Sequence, residues 1–386
     1  MRRCGLILLG GAVCVLATGM RGCPPAGPHV RVLFASDRDG ADLDSGIYSM
    51  RPDGSGVVVL TTLQDSGTML STGGSRMVFS AKAAAAAGLS SIWRVNLDGT
   101  DLFQLTSGTG DDYGPLITSD QTRVVFQSET GNLEVRSVLM DGTGLLNLSN
   151  NAGEDFMPAV RPGSTQVAFT SRRDGNSEIY VVDQTGGAAV NLTKAPNSDD
   201  SEAVYSPDGS RIAFLSDRDG NFEIYVMNAD GSGVANVSNH DGDDLGPRFS
   251  PDGTKLSWFS GSLVGHYTIW VAELAGGGSI PVTDRSYMGY DYSWSPDSTR
   301  IGFTSDQNGH PDVFVINVDG TGLANASHDP VSAYGPLWSP DGATLFFASI
   351  RDGNWEVYSM APDGTGQTNL TNNPAEDWLR DVVEVP

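Results

Sequence analysis

Short apolar runs recur along most of the chain, separated by turns built from Asp, Gly, Pro and Ser. In the clearest stretch, residues 206–233, the runs RIAFLS and EIYVMN stand between SPDG, DRDG and ADGSG. Both alternating sets of positions in each run are largely apolar, which predicts strands covered on both faces. The intervening Asp and Gly residues accept the positive φ that tight hairpin turns require. No stretch shows the 3.6-residue periodicity of an amphipathic helix.

The pattern repeats. Residues 339–366, SPDGATLFFASIRDGNWEVYSMAPDGTG, carry every landmark at the spacing found in 206–233. The second Gly-containing turn recurs at Asp53-Gly54, Asp98-Gly99, Asp141-Gly142, Thr185-Gly186, Asp230-Gly231, Ala275-Gly276, Asp319-Gly320 and Asp363-Gly364. The mean spacing is about 44 residues, and a period of this length with four short strands per unit marks propeller blades. The first unit starts at Val30 with its second strand, RVLFAS, so it lacks an inner strand. Residues 376–385, within PAEDWLRDVVEVP, resemble the lead-in GEDFMPAV of another unit and are expected to supply it. The prediction is an all-β chain, a single eight-bladed β-propeller of four-stranded antiparallel blades closed by its C-terminal strand.

Arg2 and Arg3 precede the apolar run GLILLGGAVCVLATG, the pattern of a secretory signal, and the run is too short for a transmembrane span. The domain reading is therefore a signal over 1–22, a linker over 23–29 and a propeller over 30–386. Cys23, before PPAGP, stands where a bacterial lipoprotein is cleaved and lipidated, although Arg21 departs from the usual preceding residues. Cleavage after Gly19 is the alternative and would leave Cys23 a free thiol. The net charge of −24 argues against nucleic acid, whose binding rests on clustered Lys and Arg, and makes cationic groups the expected partners. Asn147, Asn191, Asn236, Asn325 and Asn369 match the N-glycosylation pattern but recur at the blade period, so they are read as part of the blade template.

With SPDG, SDRDG, IYVMNADGSG and NLT in this order, residues 30–386 resemble the propeller repeat of TolB, the periplasmic protein of the Tol-Pal envelope system. Similar repeats occur in the propellers of prolyl oligopeptidase-type peptidases. The chain has no room for the smaller α/β domain that precedes the TolB propeller, and it has more blades. It also lacks a hydrolase domain and a Gly-x-Ser-x-Gly nucleophile elbow. The resemblance implies a propeller acting alone, in the bacterial envelope, periplasmic or anchored to the outer membrane.

Antiparallel strands alternate direction, so the loop into the inner strand and the DRDG turn share one face. Six residues before each SPDG or its equivalent stand Asp65, Asp112, Asp155, Asp200, Asp244, Gly289, Ala333 and, through the closing strand, Asp377. Asp111, Glu154, Asp199, Asp243 and Glu376 add a second acid just ahead. The register predicts an acidic ring at one channel mouth. The competing reading has these carboxylates accepting backbone N–H groups or pairing with the turn arginines Arg38, Arg172 and Arg218. Blades three and six have no Lys or Arg in that turn, so a ligand cation or metal would gain most there. Where Gly289 and Ala333 break the ring, Tyr287, Met288, Tyr290, Tyr292 and Tyr334 surround the gap and suggest a protein-contact sector.

The functional expectation is a non-enzymatic scaffold that binds an envelope protein or peptide segment as a monomer, touching membrane only through a lipid anchor. No cofactor is expected. Ca²⁺ is the one metal considered, although no stretch supplies a complete calcium-loop spacing. The alternative is a metal-dependent propeller lyase or hydrolase acting on a polysaccharide or peptide. Only His29, His240, His266, His310 and His328 are available to support such a site.

Overall fold

The computed structural model describes residues 29–38, 46–82, 88–108, 110–261, 266–283, 286–287 and 291–385; for 64–69, 266, 286 and 287 only the backbone is described. The signal, Cys23, Met288, Gly289 and Tyr290 lie outside the described residues.

Eight antiparallel sheets follow one another along the chain, each with an inner, second, third and outer strand. In blade 5 these are Asp200–Tyr205, Arg211–Ser216, Glu223–Asn228 and Ala235–Asn236. In blade 6, Ser286–Tyr287 adds a short pairing with His266 and Tyr267. The closing strand Asp377–Val385 pairs with His29–Ser36, from Ser36 opposite Asp377 to His29 opposite Val385. Ring closure therefore joins the two ends of the described chain, as the sequence predicts.

The core is divided rather than central. Eight apolar clusters occur, one at each junction between neighbouring blades. Phe169 and Tyr180 of blade 4 pack on Val125 and Val135 of blade 3, and Phe214 and Tyr225 of blade 5 pack on Ala168 and Ile179 of blade 4. The eighth cluster, with Val32, Phe34 and Tyr48 against Phe346 and Val357, seals blade 1 to blade 8. This arrangement explains why both alternating sets of each strand are apolar: each sheet is sandwiched between two others.

The repeated turn motifs are a wiring diagram. In SDRDG of blade 5, Ser216 Oγ accepts Arg218 Nε at 2.8 Å, and the guanidinium lies over the rings of Phe214 and Tyr225. Tyr225 donates its hydroxyl to Asp219, which also accepts Asn236 Nδ2 at 2.9 Å. Asn236 is thus tied into the blade edge, as are Asn191 through Asp174 and Asn369 through Asp352. In these three blades the sequon asparagine holds the outer strand to the hairpin.

Candidate functional site

The predicted ring positions are in register. Asp112, Asp155, Asp200, Asp244, Ala333 and Asp377 each sit opposite a serine at or next to the end of the second strand of their blade: Ser128, Ser171, Ser216, Ser260, Ser349 and Ser36. Their side chains do not line the channel. Asp112 is 4% exposed and Asp155, Asp200, Asp244 and Asp377 are fully buried, so the acidic channel-mouth ring is corrected to a set of inter-strand clasps. Asp65 keeps the backbone register opposite Ala81, and its side chain lies outside the description.

The clasps follow from the cost of burying a carboxylate without a partner. A single guanidinium nitrogen, Arg218 Nη2, donates to both Asp200 oxygens at 3.0 Å, and Arg38 Nη2 donates to both Asp377 oxygens at 2.9 and 3.0 Å. In blade 4 it is Arg173, not Arg172, that reaches Asp155, at 3.3 Å; Arg172 pairs with Glu154 at 2.6 Å. Burial pushes the carboxyls of Asp155 and Asp200 above the ordinary range, against the opposing pull of the serine and arginine partners.

The two blades without a turn cation are compensated from elsewhere. In blade 3, Arg136 enters from the third strand at the position of Tyr225 in blade 5, donates to Thr130 of the turn, and acts on Asp112 electrostatically. In blade 6, His240 Nδ1 lies 3.2 Å from Asp244 while its ring centroid lies 3.8 Å from that of Trp270, the planes tilted by 48°. The acids ahead of the ring are also engaged: Asp111, Asp199, Asp243 and Glu376 accept the backbone N–H of Ser90, Ser177, Phe222 and Trp355 of the preceding blade. A second layer of buried acids, absent from the sequence reading, accepts loop N–H groups from the third strands: Glu178 from Ala195, Glu223 from His240, Glu356 from Asn373. Its signal was the acid opening EIYV, EIYV and EVYS at one repeat position.

The tyrosines of the aromatic sector have different surroundings. Tyr292 is buried, its ring edge-on to Phe259 and its hydroxyl 2.9 Å from Ser257, so it is core rather than contact surface. Tyr287 pairs by backbone with His266, and the side chains of Tyr287 and Tyr290 lie outside the description. Tyr334 is half-buried and lines a cavity of about 710 Å³ on the channel wall of blades 6, 7, 8 and 1. Its ring lies 5.6 Å from Trp355, which lies 4.3 Å from Trp378. Arg248, Asp291 and Arg380 complete the polar lining. Arg248 donates to the Tyr292 carbonyl and sits 4.4 Å above the Tyr292 ring.

Sequence reasoning missed Trp355, Trp378, Arg248 and Arg380. The signal was departure from the repeat: Arg248 stands where other inner strands carry Leu116, Ala159, Val204 and Leu337, and Arg380 where they carry Pro115, Pro158, Ala203 and Pro336. Among the described residues, no group of three or more His, Cys, Asp or Glu is placed to hold a metal ion.

Comparison with known proteins bears on the repeat. The family described as TolB beta propeller domain matches residues 141–245 and 232–377. No curated protein matches the sequence. Among solved structures, an oligogalacturonate lyase from Vibrio parahaemolyticus superposes with a TM-score of 0.54 at 15% identity, over 87% of this chain and 98% of that one. A puromycin-hydrolyzing peptidase of Mycobacterium tuberculosis gives 0.57 at 14% identity, over 78% of this chain and 53% of its own. TolB from Acinetobacter baumannii gives 0.46 at 20% identity, over 81% and 67%. At these identities the likeness concerns the fold.

Proposed function

The chain belongs to the TolB beta propeller domain family, and from that premise we propose a non-enzymatic scaffold that binds a segment of another protein at the channel mouth. The observation that carries the proposal is the aromatic run Tyr334, Trp355 and Trp378 along a cavity of about 710 Å³. Large rings with polar edges bury area at low entropic cost and serve as binding anchors. Arg248, Asp291 and Arg380 around them supply hydrogen bonding that orients a backbone or a polar side chain. The acidic face does not carry the proposal, because Asp112, Asp155, Asp200, Asp244 and Asp377 are buried. The charged and apolar N-terminus supports a bacterial-envelope location for this binding, with Cys23 as the proposed anchor point. The scaffold acts as a monomer without a cofactor.

The test is selection of displayed peptides on the mature propeller, with the Trp355→Ala, Trp378→Ala double variant as counter-target. A recurring peptide motif whose affinity falls at least about tenfold in the variant supports the reading, the scale of one or two aromatic anchors. Peptides that bind both proteins equally, or no enrichment, overturn it.

A further inference from the structure

Inner strands bulge just after the ring position, and the residue two places on adopts left-handed backbone. Gly fills it in blades 3, 6 and 8: Gly114 at φ 62°, Gly246 at 64° and Gly335 at 65°. Blades 4 and 5 place Met157, φ 51°, and Glu202, φ 53°, at the same point. A β-carbon is disfavoured there, and an adjacent pair of such outliers marks positions where the side chain serves something other than folding.

Both side chains face one cavity of about 240 Å³ on the channel wall, with Gly246, Pro247 and Arg248 on its far side. Met157 is 44% exposed. No hydrogen bond or ion pair reaches the Glu202 carboxylate among the described residues, and burial by itself raises its pKa. Arg248 turns its guanidinium onto Tyr292 of blade 7. Glu202 is thus a partly desolvated carboxylate beside an exposed thioether.

We propose that Glu202 and Met157 form a subsite for an alkylammonium group, the side chain of a lysine in the bound segment. The thioether packs on the methylene stem and the carboxylate takes the ammonium. The inference rests on the channel-mouth reading above and deepens it by naming one side chain of the ligand.

The experiment uses the mature protein with ¹³C-methyl methionine, the Met157 signal being identified by its loss in Met157→Leu. N-acetyl-lysine N-methylamide is titrated, with its ε-acetylated form as control. A saturable shift of the Met157 methyl, weakened roughly fivefold in Glu202→Gln as expected for one partly exposed ion pair, supports the subsite. The ε-acetylated probe should give no such shift. Glu202→Gly should lose the response while unfolding at an equal or higher temperature, because the left-handed position then carries the residue it favours. No shift, or one indifferent to Glu202→Gln, overturns the subsite. The same titration on the Trp355→Ala, Trp378→Ala variant keeps the two readings apart: an unchanged Met157 response there shows the subsite working whether or not the aromatic run binds peptide.

Discussion

Arg351 of blade 8 reaches Asp329 at 2.7 Å, although the ring position of its own blade is occupied by Ala333. Asp329 stands four residues ahead of Ala333, as Asn151, His240 and Asn373 stand ahead of Asp155, Asp244 and Asp377, which they contact. The carboxylate has moved along the loop, and the arginine has kept its place over Phe347 and Tyr358. What the fold requires at this point is one buried negative charge near the guanidinium.

That requirement is testable by relocation. Asp329→Ala leaves Arg351 without its carboxylate and should lower stability by about 3 kcal/mol, as for a broken buried pair. Adding Ala333→Asp should restore more than half of the loss, since Ala333 faces Ser349 as Asp200 faces Ser216. Urea midpoints of the two variants decide it.

Blade 5 gives the reverse experiment. Arg218→Met removes the cation and strands fully buried Asp200. The loss should be about 3 kcal/mol, near the lower end for buried pairs because the Arg218 side chain is 25% exposed. Arg172→Met, whose pair with Glu154 is half exposed on both sides, should cost at most about 1 kcal/mol by the same urea measurement.

Two carboxylates give opposite pH slopes. Hydrogen bonds from Ser206 and Ser210 hold Asp208 at about 2, below the ordinary 3.8. Its stabilising contribution is therefore complete above the unfolded value and disappears as pH falls through the folded one. The gap in urea midpoint between wild type and Asp208→Asn should be open at pH 6 and close between pH 4 and 2.

Burial raises Asp244, against Ser260, Ser238 and His240, while Glu223 adds to the rise. A raised folded value reverses the sign: the contribution is full at low pH and declines as pH climbs through the shifted value. Asn keeps the shape without the charge, so the advantage of wild type over Asp244→Asn should shrink between pH 4 and 7. The titratable groups around Asp244 are Glu223, which accepts the His240 backbone N–H, and His240 itself, with Trp258, Trp270 and Ser279 packed about the imidazole.

The blades were legible because their determinants are local. Alternation in RIAFLS and EIYVMN, the left-handed glycines of SPDG and ADGSG, and the orphan second strand at Val30 are all contained within about one repeat period. These features determine strand order, blade number and the closing strand. The ring position was legible too, as a register. Its exposure was not, because burial of Asp200 depends on the neighbouring blade packed against it, and the compensation of Asp112 and Asp244 comes from Arg136 and His240, which sit at different repeat positions. The cavity was equally out of reach. Arg248 belongs to blade 6, Tyr334 and Trp355 to blade 8 and Trp378 to blade 1, and only the closed ring brings them to one wall. Local pattern determined the strands and turns, since hairpin and pleat energies act between near neighbours. Tertiary packing decided which charges face water and which side chains converge, since desolvation is set by whatever the ring places alongside.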